Sequence, residues 1–296
     1  MKTVAKAPVI SFFVLACLLS WICWLPLLFV GAEPGVFFTL LWIVGGLGPF
    51  AAAIIISKMA GVYSGFARLL YKWRVSSKWY VAALALPVLV ALIATGVFVL
   101  VGGSPMIQPE APPLYFYPLL LVFVMVLGGG LEEPGWRGFA LPMLLKRYNP
   151  FVASMIVGVV WAFWHLPLFF APMTSQYGLP FGWYFLNTLA LSVVFTWLFL
   201  RSHGSTVTAI VLHGGVNAVF TWYPGVSNIP TALGTLHYYG PITVASWLIA
   251  GLMLVLGRHQ FFASGDYDFS FRPDQAKGQP QMSPCSDAGV ERFDTA

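Results

Sequence analysis

The stretch Leu131-Glu132-Glu133-Pro134-Gly135-Trp136-Arg137-Gly138 decides the fold class, because it places charged side chains at the end of a long apolar run. That run begins at Leu114, so the two glutamates lie at the end of a membrane helix or inside it. An ionised side chain at the bilayer centre costs roughly 2.5–3.5 kcal/mol on insertion scales. Carboxylates at such a depth are therefore candidates for function.

Arg137 offers a partner to one of the two glutamates. It follows Glu133 by four residues, a spacing that puts both side chains on one face of a helix, and we expect them to form an ion pair. Glu132 then has no obvious partner nearby in the sequence. We predict a structural role for the Glu133–Arg137 pair and a chemical role for Glu132.

The composition predicts an all-α polytopic membrane protein. Of the 296 residues, 59% are hydrophobic and only 8% are charged, which is unlike any soluble globular domain. A spanning helix needs about 20 largely apolar residues. Eight stretches meet this requirement: 8–30, 35–57, 79–103, 114–138, 150–171, 183–200, 206–222 and 240–258. We expect a transmembrane helical domain over 1–258 and a polar, disordered cytoplasmic tail over 259–296.

The basic residues predict the orientation of these spans. If successive connections alternate sides, all 15 Lys and Arg residues fall on the side of the N-terminus, and the positive-inside rule makes both termini cytoplasmic. Five of them lie in 58–78, where we expect a short amphipathic helix in the headgroup region. The basic residues lie between apolar runs and form no cluster on a soluble domain, which argues against nucleic-acid binding. We expect a multi-pass protein of the plasma (bacterial inner) membrane whose partners are lipids and a membrane-associated peptide or protein.

Further ionisable side chains in the predicted spans are histidines. His165 lies in the fifth span and His213 in the seventh, where Asn217 follows one helical turn later on the same face. Polar groups in lipid must find one another or water. We therefore expect Glu132, His165, His213 and Asn217 to meet in one polar cavity, with the glycines after His213 allowing close helix approach.

Three motifs in three spans resemble those of the CPBP family, which comprises CAAX prenyl endopeptidases of type II and bacteriocin-processing (Abi) intramembrane proteases. They are Glu132-Glu133-x-x-x-Arg137, Trp161-x-x-x-His165 and His213-x-x-x-Asn217. The family core covers about 114–222. Trp161 departs from the pattern, since the family usually has Phe at this position.

The resemblance implies a glutamate-dependent intramembrane endopeptidase. Glu132 and His165 would activate a water molecule, and His213 and Asn217 would donate hydrogen bonds to the oxyanion. Glu133, Arg137 and Trp161 would support them, and Trp136, Trp161 and Trp164 are expected to serve in packing. This mechanism needs no cofactor, but Glu132, His165 and His213 are also a plausible zinc-ligand set, as in soluble peptidases.

Other classes of protein can be weighed against the sequence. An aspartyl intramembrane protease is excluded because no Asp precedes Asp266, and the His-Glu-x-x-His motif of zinc peptidases is absent. A transporter using the same polar cavity remains an alternative. So does a non-catalytic bacteriocin-immunity or scaffold protein that keeps the fold. The substrate stays open among a prenylated CAAX protein, a bacteriocin leader and a membrane-anchored regulator.

Overall fold

The structure is a computed structural model that describes residues 7–29, 35–103, 111–223 and 232–263, together with residues 267 and 269. Within these ranges all regular secondary structure is helical. The helices are α1 (Pro8–Trp24), α2 (Val36–Gly46), α3 (Gly48–Met59), α4 (Tyr63–Leu70), α5 (Ser77–Leu100), α6 (Tyr117–Leu127), α7 (Pro150–Trp164), α8 (Phe181–Arg201), α9 (Thr206–Val219), α10 (Ala232–Leu256) and α11 (Arg258–Phe262).

The predicted all-α polytopic membrane fold is confirmed. Six helical stretches are long and apolar enough to cross a membrane: Pro8–Phe29, Val36–Met59, Ser77–Leu100, Leu114–Leu145, Phe181–Arg201 and Tyr239–Leu256. The predicted fifth and seventh spans contain shorter apolar helices, Pro150–Trp164 and Thr206–Trp222. These two carry His165 and His213. The count of eight crossings stays a prediction.

The two shorter helices have clear start and stop signals. Asn149 caps α7 by accepting from the Val152 N–H at 2.9 Å, and Ser205 caps α9 by accepting from the Thr208 N–H. Helix α7 ends at Trp164, because Pro167 lacks an N–H and cannot extend an α-helix, and a short 3₁₀ turn follows. His165, which we predict to lie within the span 150–171, therefore lies directly after the end of α7.

The Glu132-Glu133-x-x-x-Arg137 motif lies in an irregular segment over residues 130–145, which we call the motif segment. It consists of a 3₁₀ turn (Gly130–Glu132), one α-helical turn (Glu133–Gly135), a π-helical turn (Trp136–Ala140) and an α-helical turn (Leu141–Leu145). π-Helical turns are rare and occur frequently at functional sites. The helical stretch therefore continues to residue 145, beyond the predicted end at 138.

Helix α9 lies at the centre of the bundle, packed against α5, α6 and the motif segment. Small residues make this packing close. A Cβ added at Gly214 would lie 2.5 Å from Met125 Cγ, and one added at Gly215 would lie 3.0 Å from Pro87 Cγ. The expected close approach at these glycines is confirmed. It brings the backbone of α9 against its neighbours.

Connections that carry the basic residues meet at one end of the bundle. Lys72 Nζ donates to the His203 carbonyl at 2.6 Å, which joins the predicted amphipathic region to the connection after α8. The predicted amphipathic helix is present as α4, with Phe66 and Leu69 buried and Arg68 between them. At the same end, the first turn of α1 lines a crevice together with residues 146–148. The side of the membrane that this end faces stays a prediction.

Part of the predicted tail is folded. Residues 259–262, which the sequence analysis placed in the disordered tail, are helical in α11, and Phe261 is fully buried. The Phe269 ring lies 5.2 Å from that of Phe199. These aromatic residues supply the apolar surface that the rest of the tail lacks. The remainder of 259–296 lies outside the described residues.

Candidate active site

A cavity of about 570 Å³ lies among α6, the motif segment, α7, α8 and α9. Glu132, His165, His213 and Asn217 all line it, although they come from three separate parts of the chain. The supporting Glu133 and Arg137 are not among its lining residues. The structure thus brings together in one cavity the four residues that the sequence predicts to be catalytic. The Glu133–Arg137 ion pair lies outside the lining of that cavity.

Glu132 is 5% exposed, and two indoles hold its side chain. Trp161 Nε1 donates to Oε2 at 2.7 Å, and Trp136 Nε1 donates to the same oxygen at 3.3 Å. This leaves Oε1 as the oxygen available to a water molecule or a substrate. The assignment of Trp136 and Trp161 to packing alone is therefore incomplete. The i, i+4 spacing of Glu132 and Trp136 could have revealed one of these contacts, but Trp161 lies 29 residues away.

Glu133 and Arg137 form the predicted ion pair. Arg137 Nη1 lies 3.0 Å from both carboxylate oxygens, and both side chains are fully buried. The guanidinium also lies over the Trp161 ring at 4.5 Å and the Phe195 ring at 4.3 Å. Such cation–π contacts are strongest where water is excluded. Since burying ions is costly, these contacts are what makes a charged pair tolerable here.

Glu133 has a second partner that the sequence did not suggest. His213 Nδ1 donates to Glu133 Oε1 at 2.8 Å, a contact that joins residues 80 positions apart. The ion pair therefore also orients a histidine of the cavity wall. The other ring nitrogen, Nε2, lies against Gly129, where an added Cβ would be only 2.5 Å away. Gly129 has φ of +118°, so only glycine suits this position both conformationally and sterically.

His165 is oriented by its own helix end. Its Nδ1 donates to the Trp161 carbonyl at 2.9 Å, so the neutral ring carries its lone pair on Nε2. The ring is enclosed by aromatic residues, with centroids 4.5 Å from Trp164 and 5.4 Å from Tyr184. A fixed tautomer with an available Nε2 suits a proton acceptor or a water ligand.

Asn217 is exposed to the cavity one turn after His213. Its Nδ2 donates to the Gly128 carbonyl at 2.9 Å. This bond ties the glycine turn before the motif segment to α9. The second N–H of the amide group remains available to a ligand in the cavity.

The arrangement does not suit the alternative zinc site at Glu132, His165 and His213. Among the residues that the structure describes, no three His, Cys, Asp or Glu side chains are grouped closely enough to hold a metal ion.

Comparison with known proteins gives two matches to this part of the chain. Residues 114–219 match the family model described as "Type II CAAX prenyl endopeptidase Rce1-like". The chain is also 37% identical over 108 residues to CAAX prenyl protease 2 of Methanococcus maripaludis. That match spans 34% of this chain and 39% of the relative.

The matched region runs from the start of the fourth predicted span to the last residue of α9, and so includes all three motifs and every residue of the site described above. The motifs, the helical membrane fold and the match agree. Over residues 114–219, this chain is similar to the Rce1-like type II CAAX prenyl endopeptidases.

Proposed function

We propose that this protein is a glutamate-dependent intramembrane endopeptidase, which hydrolyses a peptide bond of a membrane-associated substrate by means of an activated water molecule. One observation carries the proposal. Glu132, His165, His213 and Asn217 line a single cavity, while the fully buried Glu133–Arg137 pair lies outside its lining. Proton acceptors and hydrogen-bond donors therefore face the same enclosed space.

The water molecule would be held between Glu132 and His165. Glu132 Oε1 and His165 Nε2 are the atoms that the hydrogen bonds to Trp161 leave available. As the water oxygen attacks the scissile carbonyl carbon, its proton passes to the Glu132 carboxylate. Glu132 then returns that proton to the leaving amine nitrogen as the C–N bond breaks, so that one group serves as base and then as acid.

The opposite wall supplies donors for the oxyanion. Asn217 contributes an amide N–H, and His213 contributes Nε2–H when both ring nitrogens are protonated, with the Glu133 carboxylate as counter-charge. Donors that are already fixed in a site that excludes water stabilise developing negative charge far better than mobile water does. Gly129 is essential to this wall because any side chain there would displace His213.

The relative and the cavity support a proposal for the substrate class. The matched protein is named a CAAX prenyl protease, and we propose for this chain a peptide that carries a prenylated cysteine near its C-terminus. The cavity volume falls in the range of about 300–1,000 Å³ typical of ligand sites, and apolar side chains such as Phe123, Leu127 and Leu168 line part of it. We place the protein in the plasma membrane with both termini cytoplasmic, as the basic residues predict.

The proposal is tested with purified protein in proteoliposomes and a farnesylated peptide ending in a CAAX sequence. The expected result is release of the C-terminal tripeptide, identified by mass spectrometry, with slower cleavage of the same peptide without the farnesyl group. A wild-type protein that leaves both peptides intact would contradict the proposal. Release of intact peptide to the opposite side of the vesicles would instead indicate the transporter alternative.

A further inference from the structure

The wall of the cavity formed by α8 contains a polar group that the mechanism does not use. Asn187 lines the cavity and is 8% exposed, and its Oδ1 is buried without a hydrogen-bond partner among the described residues. Six other residues of the described ranges also have a buried side-chain atom without a partner. None of those six lines the cavity. Among these seven residues, Asn187 is therefore the one that lines the candidate site.

Such an atom requires an explanation because burying an unpaired polar group is costly. The neighbouring Thr188 shows how a buried polar side chain usually finds a hydrogen-bond partner. Its Oγ1 donates to the Tyr184 carbonyl of the same helix at 2.8 Å, so this polar residue of the cavity wall is satisfied internally. Asn187 Oδ1 has no such hydrogen-bond partner among the described residues. An acceptor in this condition is suited to a donor that enters with the ligand.

The position of Asn187 along α8 places it beside the reacting groups. Tyr184, three residues earlier, packs its ring 5.4 Å from that of His165. Phe195, eight residues later, packs 5.7 Å from Trp161 and 5.9 Å from His213. Residues at these spacings share one helix face. Asn187 thus lies on the face of α8 that contacts both histidines, between the residues that contact them.

A peptide bound for cleavage brings the donor that this position lacks. Its backbone must enter the cavity unpaired, because a peptide bond engaged in a helix is not accessible to an attacking water. Each amide N–H of such an extended segment needs an acceptor inside the membrane. We propose that Asn187 Oδ1 accepts a hydrogen bond from a backbone N–H of the substrate, next to the scissile bond. Asn187 is thus a substrate-positioning residue of the peptide subsite.

This inference rests on the proposed peptidase function and identifies how the substrate backbone is held. It predicts that Asn187→Leu, which keeps nearly the same size, raises KM about tenfold and leaves the thermal stability of the empty protein unchanged or higher. Removing an unsatisfied buried atom does not destabilise the protein that lacks a ligand. Thr188→Val is the matched control. It removes a polar group from the same wall that already has a partner, so KM should stay near the wild-type value.

The decisive experiment combines Asn187→Leu with depsipeptide substrates, in which one amide at a time, other than the scissile bond, is replaced by an ester that lacks the N–H. For wild type, one such analogue should lose about tenfold in kcat/KM, and for Asn187→Leu that same analogue should show no further loss. Equal losses in both proteins for every analogue, as expected if Asn187 binds only water, would overturn the inference while wild-type cleavage leaves the proposed function intact. Failure of wild type to cleave the all-amide peptide would refute both.

Discussion

At the scale of single residues, two glutamates that are neighbours in sequence have opposite surroundings. Glu132 lines the cavity and is held by indole N–H groups, whereas Glu133 is fully buried between Arg137 and His213. Successive residues of a helix point about 100° apart, so neighbours face different parts of the bundle. One carboxylate is thereby presented to a ligand, and the other stabilises the structure around it.

Trp161→Phe tests whether the indole positions Glu132. Phenylalanine keeps the aromatic packing but loses the N–H that donates to Oε2 at 2.7 Å. A hydrogen bond to a charged group is worth roughly 1.5–3 kcal/mol, so we expect kcat to fall about tenfold or more with KM little changed. Steady-state kinetics of peptide cleavage measure this.

Trp247→Phe is the matched control for that variant. Its indole donates to the Leu186 carbonyl at 3.0 Å and lies outside the lining of the cavity. It should lower the melting temperature with kcat preserved. If both variants lost activity only in proportion to stability, the positioning role of Trp161 would be refuted.

The Glu133–Arg137 pair predicts a stability effect with a distinctive rescue. Arg137→Met removes one partner and leaves a buried carboxylate with only His213 as its partner, which should cost roughly 3–5 kcal/mol of unfolding free energy. Adding Glu133→Gln to Arg137→Met should recover part of that loss, because no uncompensated charge then remains. Denaturant unfolding in detergent measures both variants. A double variant less stable than Arg137→Met would contradict the assigned pairing.

Residue-level prediction from sequence succeeded where the contacts were local. Glu133 and Arg137 were paired by their i, i+4 spacing, and the cavity residues were selected by the cost of polar groups in lipid. The bonds Trp161–Glu132 and His213–Glu133 join residues 29 and 80 positions apart and depend on how helices pack. No spacing rule gives such contacts, so the sequence left Glu132 without a partner.

At the scale of helices, the site depends on interruptions in otherwise regular spans. The motif segment changes from 3₁₀ to α to π geometry within a few turns, and α7 ends immediately before His165. The second predicted span also divides at Leu47 into α2 and α3, and Pro49 in the first turn of α3 packs against Gly135. Each interruption places a short turn against the cavity region.

Gly135→Ala tests the contact between the motif segment and α3. An added Cβ would lie 2.6 Å from the Pro49 carbonyl oxygen, which belongs to the backbone and cannot move aside as a side chain would. We expect a loss of roughly 1–3 kcal/mol in stability, with reduced activity because Glu132 and Glu133 shift with the segment. Thermal unfolding and cleavage rate are the measurements.

The control for that substitution is Gly251→Ala in α10, where nothing lies within 4 Å of the added Cβ. It should leave activity unchanged and stability equal or slightly higher, since alanine is the better helix former. Equal stability for Gly135→Ala and Gly251→Ala would show that the motif segment does not depend on this contact.

Helix positions were well predicted, and helix interruptions were not. Apolar length alone located the membrane helices, because a span needs a minimum number of apolar residues. The same apolar pattern cannot show where a helix breaks, since Leu47 and the residues around it are as apolar as the rest of the span. The folded start of the tail was missed because a few aromatic residues, including Phe261 and Phe269, provide its packing.

At the scale of the whole molecule, the connections that carry basic residues contact one another. Contacts such as Lys72–His203 and Phe151–Phe262 gather connections predicted to be cytoplasmic at one end of the bundle. This agreement supports the alternation of spans from which the orientation was predicted.

Cysteine labelling tests that orientation directly. In a background without Cys17, Cys23 and Cys285, cysteines placed near Glu110, Gln176 and Asn228 should react with an impermeant reagent added outside intact cells. Cysteines in 60–76 should react only after the membrane is permeabilised. Labelling of 60–76 in intact cells would contradict the predicted orientation.

The central claim is that Glu132 is the catalytic base, and Glu132→Gln tests it most directly. Glutamine keeps the size of the side chain and an oxygen that accepts from Trp161, but it cannot take the proton of the attacking water. We predict that the single-turnover cleavage rate of the purified variant falls about 10²–10⁴-fold, while its melting temperature stays within a few degrees of wild type. Cleavage at the wild-type rate, or a loss that merely follows lost stability, would contradict the account.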